Sequence, residues 1–110
     1  MTAGEKWSPS EKKVARTAYD AALKVALDKT LAELKSRAHV AATPSEIWDV
    51  EDFLRQQRRK INQMFDYRYS QLIQVFANLI RQGYLEENLL GLSEDKRQTI
   101  RKYASWNREG

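Results

Sequence analysis

Thr43-Pro44-Ser45-Glu46, with the run that follows it as far as Gly83, decides how this chain folds. Thr43 supplies an N-cap hydroxyl, Pro44 takes the first helical position where its missing N–H costs nothing, and Glu46 can return a bond to the cap amide. No Pro or Gly interrupts the chain between Pro44 and Gly83, so the pattern predicts one helix continuing to Gly83 as a left-handed C-cap. A kink between Lys60 and Asp66 is the alternative. Uninterrupted, the helix would be a rod of about 60 Å.

Upstream, Ser8-Pro9-Ser10-Glu11 repeats the capping device. It opens a helix expected to run from Pro9 to about His39, with Val14, Ala18, Ala22, Val25, Leu31 and Leu34 at three- and four-residue steps. His39 reads as a favourable cation at that helix's C-terminus. Downstream of Gly83, Gly91 punctuates the segment Tyr84–Leu92, and Ser93-Glu94-Asp95 opens a last helix to about Ala104. Residues 1–7 and 106–110 are expected to be flexible ends. The fold class is all-α: an elongated single domain, residues 1–110, with two long helices and one or two short C-terminal ones.

The composition narrows the chemistry. There are 110 residues with no Cys, one His, four Gly and two Pro, which removes disulfides, thiolate metal sites and most triad or zinc chemistry. No metal, no cofactor and no catalytic constellation are expected. Nineteen basic and fifteen acidic residues leave a net charge of +4, which permits nucleic-acid binding without requiring it. With no run of 18 apolar residues and no signal-like start, the reading is a cytoplasmic protein.

Two long helices laid side by side would be too elongated for a chain whose compact radius of gyration would be about 13 Å. A homodimer follows as an expectation. The apolar run Tyr69, Leu72, Ile73, Val75, Phe76, Leu79 and Ile80 supports it, being wide for a helix with one neighbour.

A wheel at about 100° per residue puts Val50, Leu54, Ile61, Met64, Leu72, Val75 and Leu79 on one broad face of the second helix, with Trp48 roughly opposite. Glu51, Asp52, Arg55 and Arg59 surround Trp48, and Arg58 lies at the edge. Two readings of the indole stay open: packing on the first helix or a dimer mate, or a binding hot spot. The charges by themselves read as a solvated face with i,i+4 pairs. Arg55, Arg58, Arg59 and Lys60 form the densest basic run, but they match no helix-turn-helix, zinc-finger or bZIP pattern and acids lie close by.

Trp7-Ser8, Ala18-Tyr19, Trp48 with Asp52-Phe53-Leu54, Arg58, Phe65-Asp66-Tyr67-Arg68, Val75-Phe76-Ala77, Gly83-Tyr84-Leu85, Gly91-Leu92 and Asp95-Lys96 together resemble the cyanobacterial fluorescence recovery protein family. That resemblance implies an all-α dimer without a cofactor that binds the C-terminal domain of photoactivated orange carotenoid protein. It also implies the activity: faster return from the red to the orange form, which ends quenching at the phycobilisome. Trp48, Asp52 and Arg58 match the family's functional patch, and Glu51 and Arg55 join them as partner-binding candidates; Ile47, with Phe53 and Leu54, is assigned to the dimer interface. Glu51, Gln74 and Thr99 depart from the family pattern, which commonly has His or Asn, an aromatic residue and Lys there. The alternative is a helical dimeric adaptor or nucleic-acid-associated protein.

Overall fold

The structure, a computed structural model, describes residues 6–89 and 91–109. Those residues form α1 (Pro9–Val40), α2 (Pro44–Met64), α3 (Leu72–Arg81) and α4 (Glu94–Glu109), with no strand among them. Both capping boxes are present. The Glu11 amide donates to Ser8 Oγ (3.1 Å) and the Ser8 amide to Glu11 Oε1 (3.1 Å); the Glu46 amide donates to Thr43 Oγ1 (3.2 Å) and the Thr43 amide to Glu46 Oε1 (3.0 Å).

The second long helix is not continuous. It stops at Met64, and the chain runs irregularly through residues 65–71 before α3. Side-chain periodicity explains the break. In an extended segment, residues two apart share a face, so Phe65, Tyr67 and Tyr69 can all turn toward α1, whereas a helix would scatter them. Tyr19 meets Phe65 and Tyr67 edge-on, with ring centroids 5.3 and 4.8 Å away, and Trp7 meets Tyr69 at 5.7 Å. Asp66 also pairs with Arg68 through two guanidinium nitrogens (2.9 and 2.6 Å), a local bond that competes with helical geometry. That period-two aromatic pattern was the available signal in the sequence.

The break divides the molecule into a head and an arm. In the head, α3 packs on α4 and shares a core with the N-terminal half of α1, burying Leu72, Val75, Phe76, Leu79 and Ile80 with Tyr19, Leu92 and Ile100. The wide apolar run from Tyr69 to Ile80 is therefore largely satisfied within the chain and does not require a second subunit. Nor do the wheel's seven residues form one face, because Leu72, Val75 and Leu79 belong to α3 while Leu54 remains exposed on α2. In the arm, the C-terminal half of α1 and α2 pack antiparallel about the three-residue turn 41–43. The molecule measures 53 × 31 × 21 Å, with a radius of gyration of 16.8 Å, above the ~13 Å of a compact chain this long.

The ends differ from expectation as well. Trp7 is only 8% exposed, covered by Tyr69 and by the Lys96 ammonium 5.0 Å from its ring. Trp106 lies within α4, which continues past Ala104 to Glu109. The rest of the expected flexible ends, Met1–Glu5 and Gly110, lies outside the described residues.

Gly83 does cap α3. At φ +81°, it lets its own amide reach the Ile80 carbonyl (3.0 Å) and the Tyr84 amide reach the Leu79 carbonyl (2.9 Å), satisfying the last turn. Gly91, at φ +104°, faces α1, and a Cβ there would lie 2.6 Å from Val14 Cγ2. Gly91→Ala combines strain with overlap and is expected to cost about 2 kcal/mol in chemical denaturation.

Candidate functional site

The arm carries all the partner-binding and dimer-interface candidates, from Ile47 to Arg58 on α2, whereas Gln74 and Thr99 lie in the head on α3 and α4. The arm's elbow is held by Glu46, whose carboxylate accepts from the Ala42 amide at 2.6 Å as well as from Thr43. Those two amides hold the carboxyl below the usual carboxylate range. The turn thus fixes the first coil of α2, and with it Ile47 and Trp48. Both are open to solvent, Ile47 51% exposed and Trp48 64%. An open hollow of about 440 Å³ lies between them and Ala41, Ala42, Thr43 and Pro44.

Trp48 stands on the side of α2 away from α1. Phe53 and Gln57, which face α1, are half-buried: the Arg37 guanidinium stacks 4.3 Å from the Phe53 ring, and Thr30 Oγ1 donates a long bond (3.5 Å) to Gln57 Oε1. Phe53, assigned to the dimer interface from sequence, is thus enclosed within the arm more than presented by it. Leu54 is presented. With Leu27 and Ile61 it forms the apolar floor of a groove of about 570 Å³ between α1 and α2, rimmed by Glu51, Arg55, Arg58 and Asn62. Leu31, one turn from Leu27, is also exposed. The sequence reading missed Leu27 although its i,i+4 spacing to Leu31 was a usable signal.

Charges along this surface divide into paired and unpaired. Glu51 holds Arg55 at 2.8 Å, with Asp52 at 3.9 Å on its other side, as the i,i+4 reading anticipated. No carboxylate among the described residues lies within ion-pair distance of Arg58, Arg59 or Lys60. Trp48 therefore adjoins a partly neutralised cluster, Glu51, Asp52 and Arg55, while Arg58 is free to bond a partner's acceptor. No group of three or more metal-binding side chains occurs among the described residues.

Sequence and structure comparisons agree with one another. Residues 7–104 match a family model described as the photoprotection regulator fluorescence recovery protein. The chain is 33% identical over 105 residues to the fluorescence recovery protein of Synechocystis sp. PCC 6803, covering 94% of this chain and 96% of that protein. The solved structure of the Fremyella diplosiphon fluorescence recovery protein superimposes with a TM-score of 0.87 at 33% identity, covering 91% of this chain and 99% of that one. That of the Synechocystis protein superimposes with a TM-score of 0.86 at 31% identity, with the same coverage.

Proposed function

The chain belongs to the photoprotection-regulator family of fluorescence recovery proteins, and on that premise we propose that it binds photoactivated orange carotenoid protein and accelerates the red-to-orange reversion. The observation that carries this reading is the bare indole of Trp48 beside Glu51, Asp52, Arg55 and Arg58, on a helix side left open to solvent by the described residues. Trp and Arg dominate binding hot spots because a large flat surface and a planar multi-donor group gain most from desolvation by a partner. The action needs no bond chemistry and no cofactor. A protein that prefers the domain-docked form of its partner shifts the population toward it in proportion to the difference in affinity, and holding the partner's C-terminal domain would do this. The protein acts as one helical unit over residues 1–110, without enzymatic activity, in the cytoplasm; no helix among the described residues is long and apolar enough to cross a membrane.

The test is to mix the protein with photoactivated orange carotenoid protein and time the loss of the red form in darkness. Acceleration at stoichiometric amounts is expected, and an unchanged rate would refute the reading. Arg58, Arg59 and Lys60, without carboxylate partners, keep nucleic acid as the second reading. A duplex affinity falling steeply with salt would favour it, because phosphate contacts release counterions.

The working form is a homodimer through the exposed side of the arm. Ile47 and Leu54, with Leu27 and Leu31 opposite, leave an apolar strip that a second arm can cover. Ile47→Glu introduces a charge where the single chain is open to water, so helicity should persist while sedimentation shows a monomer. A tight dimer retained by that variant would contradict the assignment of Ile47.

A further inference from the structure

The side of α2 that carries Trp48 bears its charges in an order set by helical spacing. Glu51 and Asp52 follow Trp48 at three and four residues, Arg55 comes next, and Arg58 and Arg59 follow Arg55 at three and four. Each group is thus within one turn of the next along a single stripe. Arg55 stands at its centre. That side chain is 60% exposed, yet Glu51 bonds its Nη2 at 2.8 Å and Asp52 lies 3.9 Å from its Nη1. Arg58, one turn further, has no carboxylate within ion-pair distance among the described residues.

The Glu51–Arg55 pair does little for the fold, since both side chains are more than half exposed and ion pairs in water add little to stability. The comparable pairs Arg16–Asp20, Lys24–Asp28 and Arg37–Glu33 all lie on α1; this one adjoins the bare indole. Its consequence is for what the surface offers. A carboxylate approaching Arg55 must displace Glu51 and then remain beside Glu51 and Asp52, whereas one approaching Arg58 displaces only water. Like charges set against an incoming group are a means of rejecting it. Without Glu51, Arg55 and Arg58, with Cβ atoms about 5–6 Å apart, would together read two carboxylates.

We infer that Glu51 is a specificity-determining residue acting through Arg55: it withdraws that guanidinium from the binding surface, so that the Trp48 side of α2 accepts a partner segment presenting one carboxylate, at Arg58, and disfavours one presenting two. This rests on the reading that the same side meets orange carotenoid protein, and adds which of its cations is open to that partner. The pairing also limits affinity for acidic surfaces, which suits a regulator that must release its partner after reversion.

Poly-L-glutamate is a probe that needs no carotenoid protein. At low ionic strength, where surface charges are least screened, adding it to the nitrogen-15-labelled full chain should shift the guanidinium resonances of Arg58 and leave those of Arg55 in place. In Glu51→Gln both should shift. The second measurement times reversion of photoactivated orange carotenoid protein against protein concentration. Glu51→Gln should reach half its effect at about two- to fivefold lower concentration, the strength of one exposed ion pair, and lose that gain at high salt. Arg55→Gln should change little in the parent but cancel the gain in the Glu51→Gln chain, because the two residues act as a unit. Circular dichroism establishes that each variant keeps its helices. Arg55 shifting together with Arg58 in the parent, or a Glu51→Gln chain that binds no better, would overturn the inference; weaker binding would do so too, by making Glu51 itself a contact. If the parent leaves the reversion rate unchanged, the functional reading fails, and the poly-L-glutamate titration still decides the role of Glu51.

Discussion

Lys96→Met is expected to destabilise the protein by about 3 kcal/mol, lowering the thermal midpoint by more than 10 °C or so. The reason lies in Glu11, which belongs to two helices at once. Its Oε1 completes the capping box of α1, and its Oε2 accepts from the Ser93 amide at the N-cap of α4 (2.8 Å). Lys96 neutralises that carboxylate at 3.3 Å and donates to the Lys6 carbonyl at 2.7 Å. Both side chains are about nine-tenths buried. Removing the cation leaves a buried carboxylate with two amide donors but no countercharge, and breaking a buried pair on one side costs more than the pair itself contributes. A Glu11→Leu, Lys96→Met double variant should recover part of the loss, leaving mainly the missing caps. A Lys96→Met loss under about 1 kcal/mol would show that water reaches the carboxylate freely.

The same tie gives a signed pH dependence. Burial alone pushes the Glu11 carboxyl up, but the Ser8 and Ser93 amides and Lys96 together outweigh it and hold it below the usual carboxylate range. A carboxyl lowered on folding binds its proton more readily in the unfolded chain. Its contribution is therefore complete above the unfolded value of about 4.3 and is lost as pH falls through the folded value. Denaturation followed from neutral to acid pH should show Glu11→Gln converging with the parent only in acid.

This tie marks the limit of what was legible in the sequence. Ser8, Glu11, Thr43 and Glu46 announced two helix starts because capping is local, and Gly83 announced a stop for the same reason. That the carboxylate of Glu11 would also cap a helix 82 residues later has no local signature, since it depends on how α1 and α4 pack. The break after Met64 was legible in principle. Phe65, Tyr67 and Tyr69 alternate as an extended segment does, but the absence of Gly and Pro outweighed them. On the arm, Trp48 could be placed opposite the packed face from periodicity alone, because one helix against one neighbour obeys a simple wheel. The groove needed both helices, so Leu27 went unread.

Trp48→Ala is expected to remove most of the proposed acceleration of red-to-orange reversion while leaving the fold intact. In the single chain the ring is 64% exposed, has no aromatic neighbour among the described residues and lies away from α1, so truncation creates no cavity and should alter stability by no more than about 0.5 kcal/mol. Against a partner the same ring would be desolvated, where losing an anchoring Trp typically costs about 2–4 kcal/mol of binding, roughly a thirtyfold to thousandfold loss of affinity. Recovery rates measured against protein concentration should therefore shift to far higher concentrations, with circular dichroism and sedimentation unchanged. Arg58→Lys separates the charge from the fork. If Arg58 meets a carboxylate through two parallel bonds, Lys keeps the charge, loses the geometry and lowers affinity. Full activity in Trp48→Ala would remove the indole from the binding surface, and loss of helicity in that variant would assign it to the arm's own packing.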